Sequence, residues 1–318
     1  MGVALRRGHP HTQAMNHIYI ETARLLTRVV PLVLVDETFA LKGGTAINMF
    51  VRDMPRLSVD LDLVFPDYTL PRDEALRRIN SAIRESVKRL KKQGFQTRAA
   101  TTADAGETKL LVRRDRLELK IEVNFVMRGT IYPVRMASLT PTARETLQAD
   151  LEISVVSLED MYGSKLVAAM DRQHPRDLFD VMQLFAHEGI TARILRAFVI
   201  YLASHNRPVH EVLFPALRDI RNEYENNFQG MTEEPVELEA LLAARDRMVR
   251  ELQQRLNAAE RRFLLSLVAA DPEWSLLEIG HLERLPALRW KLQNLQQLRN
   301  ANPKKFLGQS DELKRLLA

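Results

Sequence analysis

Residues 41–65 have the sequence LKGGTAINMFVRDMPRLSVDLDLVF, which joins a glycine turn (Gly43 and Gly44) to a helix and then to a strand with two alternate acids. Glycine permits positive φ and close backbone approach, and a helix N-terminus directs unpaired N–H groups at the same point. Because side chains alternate along a strand, Asp60 and Asp62, here called the acid pair, share one face. The stretch therefore predicts a phosphate cradle beside two carboxylates, as in a metal-nucleotide site.

The composition is that of a globular protein with room for two domains. The 318 residues are 46% hydrophobic and 27% charged, and the absence of cysteine excludes disulfides and thiolate metal sites. A net charge of +5 and a pI of about 9.5 favour an anionic partner without identifying it. No stretch predicts a membrane span and the N-terminus lacks a signal-peptide core, so we expect cytoplasmic localisation and no membrane partner.

Hydrophobic periodicity divides the chain near residue 150. The first part predicts helices at 14–30 (closed by Pro31), 46–52 and 71–92, and strands at 38–41, 59–65, 95–100, 109–113, 117–125 and 130–135. The second part predicts helices at 158–172, from 175 onward, and at 190–204, 210–228, 235–269 and 275–298, with a short terminal helix. The fold class is thus α+β, with a mixed-sheet domain at 1–150 and an all-helical domain at 151–318 that contributes to the active-site cleft.

Glu122 is a third candidate acid. In the strand 117–125 the odd positions are apolar, which places Lys120 and Glu122 together on the opposite face. A charged glutamate on a central strand needs a cation or a wet surface. Glu122 is therefore a candidate metal ligand, and the alternative is an ion pair with Lys120 or Lys109.

The helix predicted at 71–92 has one face dense in arginine and lysine. Such a face is either a solvated surface or a surface that contacts a polynucleotide. The sequence leaves both interpretations open.

Nucleotidyl transfer would use these groups together. It requires a bound triphosphate and divalent cations, commonly two ions about 3.5–4 Å apart that carboxylates bridge. The acid pair and Glu122 would supply three ligands for Mg²⁺ or Mn²⁺, and the glycine turn would take the terminal phosphates of an NTP. The Thr45 hydroxyl is expected within hydrogen-bonding range of those phosphates.

The pattern Gly43-Gly44-Thr45, followed by Arg56, Ser58 and the acid pair, resembles the signature of DNA polymerase β-like nucleotidyltransferases. More closely, residues 41–46, 55–62 and 175–180 (PRDLFD) resemble the AbiEii/AbiGii-type toxin family, over roughly residues 38–185. These proteins are the toxins of type IV toxin–antitoxin and abortive phage-infection systems. Members transfer nucleotides, in some cases to the 3′ end of tRNA.

The resemblance implies roles for individual residues. Asp60, Asp62, Lys165 and Asp180 would be catalytic, with Asp60 and Asp62 as metal ligands. Nucleotide binding would involve Gly43, Gly44, Thr45, Lys165 and Asp177, with Lys165 contacting the triphosphate as a point charge.

Departures from the family pattern and structural alternatives accompany these roles. Thr45 stands where many superfamily members have serine, and the third acid is Glu122 rather than aspartate. Lys165 has the alternative of an ordinary helix lysine. Asp177 has the alternative of capping a helix that begins at Pro175, and either it or Asp180 is the later acid.

The predicted function is metal-dependent transfer of NMP from an NTP to RNA, with the tRNA 3′ end as expected acceptor and with an antitoxin encoded nearby. A second hypothesis is a catalytically silent module that binds nucleotide or RNA. A third keeps the chemistry but places the acceptor hydroxyl on a small molecule or a protein.

Overall fold

A seven-stranded mixed sheet carries the predicted site in a computed structural model that describes residues 10–102 and 107–318. The strands are β1 (Ala40–Lys42), β2 (Leu61–Val64), β3 (Gln96–Thr102), β4 (Glu107–Arg114), β5 (Leu117–Asn124), β6 (Arg135–Ser138) and β7 (Glu152–Val155). Their order across the sheet is β3-β4-β5-β2-β1-β7-β6, with β2 parallel to β5 and β1 parallel to β7. The other neighbours pair antiparallel.

Helices cover one face of this sheet, and further helices follow it along the chain. They are α1 (Pro10–Val33), α2 (Gly43–Phe50), α3 (Arg72–Lys92), α4 (Pro141–Leu147), α5 (Leu158–Arg172), α6 (Pro175–Ala186), α7 (Ala192–Ser204), α8 (Val209–Leu213), α9 (Arg221–Asn227), α10 (Leu238–Arg255), α11 (Ala258–Val268), α12 (Pro286–Ala301) and α13 (Pro303–Leu317). Two 3₁₀ turns, Trp274–Leu277 and Leu282–Arg284, precede α12. In the described residues, no helix is long and apolar enough to cross a membrane.

The alternation of β2 and β5 separates core from site. Leu63 and Val123 pair in register and are buried beneath α1 and α3, with Ile83 of α3 lining the same small cavity. The adjacent register pair, Asp62 and Glu122, occupies the opposite face of the sheet. The predicted acids thus lie on the face that α1 and α3 leave uncovered.

The predicted α+β class is confirmed, and several boundaries differ. Pro31 lies inside α1, since a proline near the end of a helix removes only one late hydrogen bond. The helix predicted at 235–269 is two helices, because Asn257 and Glu260 form a capping box that starts α11. The helix predicted at 210–228 is likewise two short helices, α8 and α9.

The sheet continues past residue 150. The strand predicted at 130–135 begins only at Arg135, and its partner β7 lies at 152–155. The strand β7 also pairs with β1, so the last strand of the sheet along the chain ends at Val155. Every described element after β7 is an α-helix or a 3₁₀ turn. Helices α5 and α6 pack on α2, and buried apolar residues of both parts form one core cluster.

Candidate active site

The glycine turn brings side chains of the acid strand against the backbone. Gly43 has φ of +76°, and a Cβ there would lie 2.4 Å from Asp62 Oδ2. A Cβ on Gly44 would lie 2.7 Å from Arg56 Nη2 and 2.9 Å from Ser58 Oγ. Only glycine at both positions leaves room for these side chains. The helix α2 begins directly at Gly43, slightly earlier than predicted.

Thr45 ties the glycine turn to the acid strand. Its hydroxyl donates to the Asp60 carbonyl oxygen at 2.6 Å and lies 3.1 Å from Ser58 Oγ. The residue is buried. In this structure the hydroxyl is committed to the strand and is not exposed, and its expected contact with a phosphate stays a prediction.

The acid pair lies beside this turn without donors. Asp60 is exposed and Asp62 partly buried, and in the described part of the chain neither carboxylate accepts a hydrogen bond or joins an ion pair. Burial raises the pKa of Asp62; Lys42 opposes this, whereas Asp60 and Glu122 raise the pKa further by repulsion. Two unpaired carboxylates offer oxygen ligands alone, and such ligands suit a hard divalent cation.

Glu122, a predicted metal ligand, is paired with two lysines. Lys120 Nζ lies 2.6 Å and Lys109 Nζ 3.3 Å from its Oε1. Burial would raise its pKa, but these lysines outweigh burial and lower it. Within residues 10–102 and 107–318, no three His, Cys, Asp or Glu side chains are grouped to hold a metal. The ion-pair alternative describes Glu122 here, so the fit to a cation rests on Asp60 and Asp62.

A buried ion network (Arg56, Lys165, Asp177 and Asp180) lies behind the glycine turn. Arg56 donates to both oxygens of Asp180, from Nε at 2.8 Å and from Nη2 at 2.7 Å. Lys165 Nζ lies 2.9 Å from Asp180 Oδ2 and 2.8 Å from Asp177 Oδ1. All four side chains are buried, so the two cations and two carboxylates neutralise each other away from water.

Opposite charge sets the titration of this network. Burial alone would raise the pKa of both aspartates, but Lys165 and Arg172 hold that of Asp177 far below its ordinary value. Arg56 and Lys165 likewise lower the pKa of Asp180. Arg172 binds both oxygens of Asp177, at 2.6 and 3.0 Å, from a largely exposed position. Both carboxylates are therefore ionised at neutral pH.

This network contains three predicted site residues, Lys165, Asp177 and Asp180. Lys165, expected on a triphosphate, has its ammonium group buried between Asp177 and Asp180. Asp180, expected to be a catalytic acid, has both oxygens occupied by Arg56 and Lys165. In this arrangement both side chains are buried behind the glycine turn, and their expected roles toward the nucleotide stay predictions.

Sequence reasoning missed Asn48 and gave no site role to Arg56. Asn48 Nδ2 donates to the Gly44 carbonyl at 2.9 Å and to Asp180 Oδ1 at 3.0 Å. The helical spacing of Asn48 four residues after Gly44 is a signal for the first bond. The second joins residues 132 apart in sequence, for which no local pattern exists.

A mixed sheet with a glycine turn against a DxD strand defines the class of nucleotidyltransferase-like proteins. The family description "Nucleotidyl transferase AbiEii toxin, Type IV TA system" matches residues 24–294. Because this match covers most of the chain, the protein belongs to the AbiEii family and is a nucleotidyltransferase. An NTP substrate and an antitoxin partner follow from membership of a type IV toxin–antitoxin family.

Among solved structures, the chain is similar to MenT4, a nucleotidyltransferase toxin from Mycobacterium tuberculosis H37Rv. The TM-score is 0.57 at 20% sequence identity, over 89% of this chain and 99% of MenT4. At this identity the likeness supports the fold. Among curated proteins, no sequence matches the chain.

Proposed function

We propose that the protein transfers NMP from an NTP in a metal-dependent reaction, with Asp60 and Asp62 as ligands of Mg²⁺ or Mn²⁺. The observation that carries this proposal is the acid pair itself, two adjacent carboxylates without donors beside the glycine turn. Asp62 is partly buried, and an unpaired carboxylate there is costly unless a cation neutralises it. A bound divalent ion supplies charge neutralisation to the triphosphate and the attacking hydroxyl.

The residues of the chain bind and orient the nucleotide in this proposal. Gly43 and Gly44 present backbone N–H groups at the start of α2, where the helix dipole also favours phosphate. Lys42, in register with Asp62, adds a cation on the same face of the sheet. The buried ion network and Asn48 hold the turn and the strand in place. Thr45, Lys165, Asp177 and Asp180 act by positioning.

The proposed acceptor is RNA, with the tRNA 3′ end as the expected site. The uncovered sheet face beyond Glu122 is basic, since Lys109 and Lys120 flank it and Arg98 and Arg113 lie further along the same face. Both surfaces contain paired bases: Lys109 and Lys120 pair with Glu122 and Arg113 with Glu118 on the sheet face, and on α3 Arg77 and Arg78 pair with Glu74 and Lys88 with Glu85. The sheet face is the favoured polyanion surface because it adjoins the acid pair.

The direct test is labelling of total RNA with each of the four NTPs, carrying label on the α-phosphate, in Mg²⁺ or Mn²⁺. We expect RNA labelling that Asp60→Ala abolishes and that the exposed control Asp311→Ala retains. Sequencing of labelled ends identifies the acceptor. Wild-type labelling by Asp60→Ala would remove the proposed metal role, and label on protein or small molecules would replace the RNA acceptor.

A charge reversal separates the two candidate RNA surfaces. Arg98→Glu on the sheet face is expected to reduce RNA labelling about tenfold at low salt, and Arg84→Glu on α3 to change it little. The reverse order of effects would assign the acceptor to α3.

We also propose that the antitoxin acts on this protein in the cytoplasm, where NTP and RNA are present.

A further inference from the structure

Arg128 is a buried cation without a counter-charge. Only 6% of the residue is exposed, its Nε has no hydrogen-bond partner, and its side chain joins no ion pair within the described residues. The other buried arginines of the described chain differ: Arg52, Arg56 and Arg245 each donate to a side chain or carbonyl oxygen. A buried guanidinium nitrogen without an acceptor is unfavourable.

The loop that carries Arg128 is braced on both sides. Asn124 Oδ1 accepts from the backbone N–H groups of residues 126 and 127, each at 2.8 Å. Gly129 N donates to the Phe65 carbonyl at 2.8 Å, and Asp160 accepts from the N–H groups of residues 131 and 132 at 2.9 Å. These bonds hold the backbone of the loop that carries Arg128 on both sides of this residue.

Among the residues that the structure describes, the surroundings of Arg128 add positive potential and no acid that acts on its pKa. Arg72, the first residue of α3, lies near enough to lower the pKa of Arg128, an effect second to that of burial. A Cβ on Gly129 would lie 2.8 Å from Tyr68 Cβ and 3.7 Å from Pro286, so the loop contacts the N-terminus of α12. Arg72 and the N-terminus of α12 thus both lie near the loop that carries Arg128.

We propose that Arg128, together with Arg72, binds a phosphate group at a site separate from the glycine turn. A guanidinium fork matches two phosphate oxygens, and the α12 N-terminus favours the same charge. The site follows the carboxyl ends of the parallel strands β2 and β5, whereas Asp60 precedes β2. The phosphate belongs either to a small free molecule or to a nucleic-acid backbone.

Phosphorus NMR and calorimetry with inorganic phosphate test the first source, without added metal and NTP. We expect wild-type protein and the exposed control Arg116→Met to bind phosphate alike, and Arg128→Met to bind at least about tenfold more weakly. Arg128→Lys keeps the charge but loses the fork, so its binding should be intermediate. Arg72→Ala, at an exposed position, should weaken binding severalfold with the fold intact.

The second source is tested with an unphosphorylated single-stranded RNA at several salt concentrations. If the ligand is the backbone, Arg128→Met lowers affinity and reduces the salt dependence by about one phosphate contact, while inorganic phosphate binds no variant measurably. Equal binding of both probes by wild type, Arg128→Met and Arg72→Ala would overturn the proposal. Nucleotide transfer is not among the readouts, so failure here is distinct from failure of the proposed function.

The stability of the Arg128→Met variant provides an independent test of the proposal. If the arginine awaits an anion, its replacement by an apolar side chain of similar length stabilises the protein in phosphate-free buffer. If the side chain acts only by packing, the variant has no reason to gain stability. A lower melting temperature for Arg128→Met, with unchanged phosphate binding, would assign Arg128 a structural role and exclude the site.

Discussion

At the scale of single residues, the candidate site contains two opposite kinds of carboxylate. Asp180 is surrounded by donors, with two oxygens held by Arg56 and Lys165. Asp62 has none in the described residues and faces the like charges of Asp60 and Glu122. The first kind stabilises the fold, and the second holds unfavourable charge that the proposed cation would relieve.

Asp62→Asn should therefore stabilise the metal-free protein while it abolishes nucleotide transfer. Removing an unpaired, partly buried charge at a functional position commonly adds about 0.5–2 kcal/mol. Melting in EDTA and in Mg²⁺ or Mn²⁺ provides the measurement, with Asp311→Asn as the exposed control. Wild type and control should gain stability from the cation and Asp62→Asn should not. An equal gain in all three would disprove the assignment of Asp62 as a ligand.

Asp180→Asn should have the opposite effect on stability. It leaves Arg56 and Lys165 buried with one carboxylate fewer, and breaking a buried pair typically costs about 3–5 kcal/mol. Urea unfolding measures the loss, and Glu251→Gln, which breaks a more exposed i,i+4 pair with Arg247, should lose under about 1 kcal/mol. Similar losses for both would contradict the importance of burial.

The buried pair of Arg56 and Asp180 also predicts how the free energy of unfolding depends on pH in acid. Because the pKa of Asp180 is lowered in the folded protein, its contribution is complete above the unfolded pKa near 4 and is lost as pH falls through the folded value. Wild-type stability should thus fall steeply below about pH 4. In Asp180→Asn this acid slope should be shallower, and an unchanged slope would contradict the linkage.

At the scale of elements, the glycine turn combines two constraints that a pair of variants can separate. Gly43 and Gly94 both have positive φ, +76° and +81°. A Cβ on Gly94 meets nothing within 4 Å, whereas one on Gly43 would lie 2.4 Å from Asp62 Oδ2. Any difference between alanine variants at these positions therefore reports the close contact with the acid strand and not the backbone conformation.

Gly94→Ala should lose about 1 kcal/mol from backbone strain and keep full nucleotide transfer. Gly43→Ala should lose more stability and nearly all transfer, because its Cβ displaces a proposed metal ligand. Chemical denaturation and NTP labelling on the same preparations give both quantities. Equal activity in the two variants would show that the approach of Asp62 to the turn is not required.

Elements also show where sequence reasoning succeeds. The glycine turn, the acid pair and β5 follow from local signals: small residues, alternation and helix starts. The bond between Asn48 and Asp180 joins residues more than 100 apart in sequence, and no local pattern contains it. The paired state of Lys165 depends on a contact between two helices, which no local pattern contains either. The strand β7 was missed because only four residues form it, and a parallel partner, β1, decides its place.

At the scale of the whole molecule, the predicted division at residue 150 crosses shared structure. The strand β7 completes the sheet from beyond that boundary, and Arg56 of the first part is neutralised by Asp180 of the second. Arg52 adds a second link, since it donates to Tyr162 and Glu188. Neither part satisfies its buried charges alone.

The full chain should therefore unfold in one cooperative transition. Calorimetry is expected to give equal calorimetric and van't Hoff enthalpies, since loss of the second part would leave Arg56 buried without its carboxylate. For the same reason a fragment of residues 1–150 should show no cooperative melting, and extending it to 157 restores β7 but not Asp180. Two separate transitions in the full chain, or a cooperatively folded 1–150 fragment, would show that the halves are independent. The buried ion network would then not couple the site to the helical part.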